Sequence, residues 1–241
     1  MKNSESNPPS TATRLALSCG LLYPVLLVVG DDVIAQGDEI APDAGSAAEI
    51  AAALAGKDTT TFFLGRSLGL VSLLLLAVFV AVLATRIRRL AGPDSILPAV
   101  ALVGVASVVT LQLGAVLSTF AAVRHHDDGI PPDVLVLVLE LGGGFLLAML
   151  PLALVLGAVG VAGLRHGLLG RILSWAAVVL AVLLVVGFGA FSAGVEIGFL
   201  AMPLSWLWFL AAGGRLAFAT QERSSGASHA DPGRAASSPA V

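Results

Sequence analysis

The chain has 241 residues, of which 57% are apolar and only 12% charged, with a mean hydropathy of +0.94 and a formal net charge of −3. A soluble domain carries about twice that charged fraction, so a water-soluble globule is excluded, and an acidic balance with no basic stripe excludes nucleic acid as a partner. The apolar residues form continuous blocks long enough to cross a hydrocarbon core of about 30 Å; an all-α multi-pass transmembrane bundle of six helices is expected, not a barrel, whose strands would alternate over about ten residues.

Residues 1–13, MKNSESNPPSTAT, are polar and rich in Ser and Pro, and are expected to form a disordered cytoplasmic segment. The first crossing is expected over Leu15–Ile34. Its apolar core followed by VIAQ also resembles a cleavable signal, but Asp31 and Asp32 stand where a cleavage region should be bland, and the leader is nearly neutral. Cys19 lies inside this block and reads as a small packing residue with no metal-ligand spacing around it.

An outer loop, about 36–64, comes next. Its first half, QGDEIAPDAG, is acidic and turn-rich; SAAE at Ser46–Glu49 has capping-box spacing before IAAALAG, so a short surface helix is expected at about Ala47–Ala55, ended by Gly56. TTTFF, residues 59–63, leads into the second crossing, Ser67–Thr85, which Arg66 and Arg86 bracket about 30 Å apart. The third is expected over Ile96–Val123.

RHHDDG, residues 124–129, invites a metal assignment, but adjacent residues on one short loop rarely converge on one ion, so a polar hairpin closed by Gly129, Pro131 and Pro132 is the better reading. No metal and no cofactor is implied: GGG and GLVSLL lack a phosphate-loop context.

The fourth block, Val134–Leu164, would span about 46 Å as one helix, too long for a single crossing without steep tilt. Gly142, Gly143 and Gly144 offer a place to bend or break it, and Pro151 is expected to kink the helix further in. Glu140, the block's one charge, lies about 37 Å from Arg165 along such a helix and so belongs at the outer interface. Gly157, Gly160 and Gly163 form a small-residue face for close helix approach.

The fifth and sixth crossings are expected over Ile172–Phe191 and Ile197–Phe218. Trp175 suits an aromatic belt, whereas Trp206 and Trp208 fall mid-helix and read as packing residues. The transmembrane domain is thus 14–218, and 219–241 is expected to be a disordered cytoplasmic tail.

Basic residues fix orientation, because Lys and Arg in short loops resist translocation. With the amino terminus inside, the outer segments hold only Lys57, Arg66 and Arg124 of the chain's 13 Lys and Arg. This bias implies an even number of crossings with both termini cytoplasmic. Asp31, Asp32, Arg66, Arg124, Glu140 and Glu196 each begin or end a crossing on the outer side. They are either a vestibule that binds a small polar molecule or boundary charges held in weak ion pairs.

Four stretches carry a family resemblance: TRLALSCGLLYPVLLVVGD at the start, SAAEIAAALAG before the second crossing, ELGGGFLLAMLPLALVLGAVG, and GLLGRILSW opening the fifth helix. They resemble the six-helix integral membrane proteins of actinobacteria and related bacteria close to the DUF4386-like group. The resemblance covers roughly Arg14 to Phe218; Gly170 precedes Arg171 where relatives often carry a proline. It implies a six-helix bundle in the cell membrane and supplies no activity or functional residues. A transport, sensing or accessory role ranks first. The alternatives are a membrane-embedded enzyme, for which no HExxH, GxSxG or paired intramembrane acid is present, and a structural partner associating with copies or other proteins through its Gly- and Ala-rich faces. Catalytic residues are not assigned, and membrane lipids are the one partner that composition itself demands.

Overall fold

The computed structural model describes residues 11–34, 49, 58–125, 128, 130–131, 133–134, 136–138, 147–192 and 200–228. Their regular structure is helical, with no strand among the described residues. The long helices are α1 (Thr11–Val28), α2 (Thr59–Ala91), α3 (Leu97–His125), α4 (Met149–His166), α5 (Arg171–Ser192) and α6 (Ala201–Ser228), with a π-helical segment, Val29–Ile34, continuing α1.

Thr13–Asp31, Thr59–Ala91, Leu97–His125, Met149–His166 and Arg171–Ala190 are each long and apolar enough to cross a membrane. The protein is a multi-pass helical membrane bundle. Helix α6 falls outside that set because Pro203, Gly213, Gly214 and Arg215 dilute its apolar residues. It nevertheless closes the bundle. Each helix packs on its neighbour in sequence, α6 returns to α1, and α2 also touches α4 across the ring.

Outward faces are apolar. On α2, Leu64, Val71, Leu74 and Val78 are exposed at helical spacing, while Phe62, Leu73, Leu76, Val80, Leu83 and Ile87 are buried. In water such faces would be an aggregation hazard; in lipid they cost nothing. Lipid tails are as apolar as leucine, so helix association must come from close packing, and small residues supply it. A Cβ on Gly20 of α1 would lie 2.6 Å from the Phe79 ring of α2, and one on Gly213 of α6 would lie 2.8 Å from the Gly20 backbone. Three helices meet at that point. Beside it, Phe209 makes edge-to-face contacts with Tyr23 at 5.4 Å, Phe79 at 6.2 Å and Trp208 at 5.1 Å between centroids. Trp208 is buried and donates from Nε1 to the Leu173 carbonyl of α5 at 2.8 Å, whereas Trp175 is half-exposed near the start of α5.

Two sequence expectations change. Pro151 does not kink α4, because the helix starts at Met149 and the proline lies in the first turn, where an absent N–H costs nothing. Helix α6 continues to Ser228, past the boundary expected at about Phe218. The triple glycine lies outside the described residues; of the outer-loop helix only Glu49, helical and exposed, is described.

Candidate functional site where α1 meets α2

Helix α2 begins well before the apolar block expected at Ser67. Asp58 caps it, accepting hydrogen bonds from the Thr60 N–H at 3.1 Å and the Thr61 hydroxyl. Those bonds hold the Asp58 carboxyl below its usual value of 3.8, the Thr61 hydroxyl contributing most. With the cap at Asp58, TTTFFLG becomes helix, and Arg66 moves from a boundary position to one about 10 Å inside it along the axis.

Arg66 is 7% exposed. Its Nη1 lies 3.4 Å from Oδ1 of Asp31, whose side chain is 24% exposed, and its guanidinium carbon lies 5.6 Å from the centroid of Phe62, one turn nearer the helix start. That direction is the one a helical side chain prefers, towards the amino-terminal turn. The ring adds roughly 0.5–2 kcal/mol of cation–π attraction.

The carboxylate reaches the arginine through two local features. Residues Val29–Ile34 are wound as a π-helix, a form that recurs at functional positions because it re-aims side chains. The two helices also touch backbone to backbone. A Cβ on Gly30 would lie 2.6 Å from the Gly65 carbonyl oxygen, and one on Gly69 would lie 2.7 Å from Asp31 Oδ1. The carboxylate therefore fills the space that a side chain at Gly69 would need. Gly65 and Gly69 form the G-x-x-x-G of GRSLG, the small-residue spacing of close membrane-helix crossings, with Arg66 inside it. That pattern is the sequence signal that would have located the contact.

Between the Asp58 cap and Arg66, Phe62 and Phe63 pack edge-to-face with Phe120 of α3, at 6.2 and 4.7 Å. Ala122 and Val123 are buried with them. This aromatic group lies between the helix cap and Arg66, separating the guanidinium from the α2 terminus.

Of the six expected mouth residues, the structure brings Asp31 and Arg66 together. Arg124 is exposed in the last turn of α3 and takes no part in that pair. The side chain of Asp32, and Glu140 and Glu196 entirely, lie outside the described residues. In the RHHDDG stretch, His125 Nδ1 is 2.6 Å from Asp128 Oδ2, with both side chains exposed. Among the described residues no group of three His, Cys, Asp or Glu side chains has metal-binding geometry.

The small-residue face of α4 is occupied within the chain. A Cβ on Gly160 would lie 2.8 Å from Val178 Cγ2, one on Gly163 would overlap Ser174 Oγ, and Gly157 faces Ala181. These glycines pack α4 on α5. No protein-family model, curated protein or solved structure matches this chain.

Proposed function

We propose that this is a six-crossing protein of the bacterial cell membrane, with both termini cytoplasmic, that binds a small polar molecule at its outer mouth in a transport or sensing role. The DUF4386-like resemblance supports the location, and the confinement of most basic residues to one set of loops supports the orientation. One observation carries the binding role: Arg66, nearly buried inside an apolar span, is held against Asp31. Ionisable groups inside membrane spans are costly and concentrate where polar molecules are bound or moved. Side by side, a carboxylate and a guanidinium can each exchange a contact with the other for one with a charged or zwitterionic ligand.

The test is thermal unfolding of protein reconstituted in lipid nanodiscs, screened against small anions, cations and zwitterions. A ligand present at a hundred times its dissociation constant adds about 2.7 kcal/mol of stability. At about 2–4 °C per kcal/mol for a chain of this size, that is a rise of about 5–10 °C. The rise is expected for the wild type and absent in R66Q. A ligand that stabilises R66Q as strongly as wild type places its site elsewhere and overturns the proposal.

A further inference from the structure

At the opposite end of the bundle, α4 and α5 are joined by the four-residue turn Gly167–Gly170. Gly167 (φ 71°) and Gly170 (φ 74°) have left-handed backbones that glycine adopts without strain. Three helices bring a guanidinium to this turn. Arg165 stands in the last turn of α4, Arg171 is the first residue of α5, and Arg215 of α6 lies against Gly170, its Nη2 2.8 Å from where a Cβ would be. All three are exposed.

The electrostatics are one-sided. The first turn of α5 contains no acid, and among the described residues none of the three arginines forms an ion pair. Arg165 at the end of α4 suits the negative pole of that helix, but Arg171 and Arg215 crowd the positive pole of α5, where cations are disfavoured and anions are stabilised. An anion at this turn would relieve that repulsion.

The neighbouring surface says what carries the anion. Ile172 is 85% exposed and Trp175, three residues on and on the same helix face, is 51% exposed; Val179, Val182 and Val186 continue the stripe along α5. An exposed isoleucine and indole next to arginines match the boundary between headgroups and acyl chains, where Trp concentrates. With those side chains against acyl chains, the anion that meets the arginines at this depth is a lipid headgroup.

We infer that the α4–α5 turn is a docking site for an anionic phospholipid, its phosphodiester held at the first turn of α5 by Arg165, Arg171 and Arg215 and its acyl chains lying along Ile172 and Trp175. The inference rests on the membrane-spanning architecture and is independent of the outer-mouth ligand.

Native mass spectrometry of protein released from phosphatidylcholine nanodiscs, with and without phosphatidylglycerol, tests it. Three arginines near an anionic surface correspond to a preference on the order of a hundred-fold for the anionic lipid. Wild type is expected to retain phosphatidylglycerol with that enrichment, and R165Q/R171Q/R215Q to lose it. R88Q/R89Q, which removes charge from the end of α2 instead, keeps it. If the triple variant does not fold, R215Q alone should lower the enrichment about five-fold. Undiminished enrichment in the triple or single variant, an equal loss in R88Q/R89Q, or displacement of the lipid by inorganic phosphate alone would each overturn the inference.

Discussion

Replacing Arg66 with methionine tests the buried pair most directly, because methionine keeps an unbranched side chain and removes the charge. Asp31 then loses its guanidinium while remaining three-quarters buried against Gly69. Removing one partner of a buried pair costs about 3–5 kcal/mol, and the partial exposure of Asp31 puts the expected value near the lower figure. At about 2–4 °C per kcal/mol, R66M should lower Tm by about 6–12 °C, with a similar direction and smaller size for D31N, which keeps a polar group of the same shape. The double variant R66M/D31L removes both charges and leaves apolar groups in an apolar setting. It should recover most of the loss, because a buried ion pair often does no better than well-packed apolar residues. Intrinsic fluorescence can follow unfolding, since Trp208 is buried against Phe209. A Tm for R66M within about 2 °C of wild type, or a double variant no more stable than R66M alone, would refute the idea that the pair is a coupled unit.

Glycine contacts separate crowded from open positions. G20A should destabilise by about 1–3 kcal/mol through overlap with the Phe79 ring, whereas G114A, with nothing within 4 Å, should stabilise by about 0.5–1 kcal/mol; chemical unfolding of both variants checks the opposite signs. The Asp58 cap makes stability depend on pH at the acid end. Its carboxyl is depressed in the folded state, so the contribution is complete above the ordinary aspartate value of 3.8 and is lost as pH falls through the lower folded value. Melting curves of wild type should therefore fall more steeply than those of D58N in that acid range, and parallel curves would remove the cap from the account. For topology, in a C19S background a cysteine replacing Asp128 should react with a membrane-impermeant maleimide on intact cells. One replacing Ser95 should react only after permeabilisation; the reverse pattern inverts the orientation.

The apolar blocks make the long helices legible, since a continuous run of that length has few other uses. Their ends are less so. A hydropathy block stops at a charge, and so the sequence places the start of the second crossing after Arg66. Asp58 instead starts α2 in a stretch whose threonines look like loop. At the other end, Arg86, Arg88 and Arg89 lie within the helix, where cations suit the carboxyl-terminal pole. Asp31 and Arg66 are visible in the sequence as charged residues but not as a pair. Bringing Asp31 onto Arg66 depends on π-winding after Val28 and on two backbones meeting at Gly30, Gly65 and Gly69, neither of which a window average records. Pro151 misleads for a related reason: its effect depends on where the helix starts, and the block around it gives no sign of a start at Met149.

Helix α6 poses the same problem from the opposite side, because averaging counts its polar residues as if each faced lipid. Ser205 is fully buried and bonded to the Met202 carbonyl, and Arg215 lies at the α4–α5 turn. The residues that α6 presents outward include Leu204, Leu207 and Phe218. Its lipid face is thus apolar although its average is lower than that of the other five helices. Direction can be read from contacts without any hydropathy scale. Tyr23 of α1 meets Phe209 of α6, and Gly20 meets Gly213, so the two helices run antiparallel. Arg215, two residues beyond Gly213, touches Gly170. The start of α1, the far half of α6 and the α4–α5 turn therefore share one end of the bundle. Helix α5 leaves that end for the other, and the chain regains it only along α6, so α6 must be counted with the five more apolar helices.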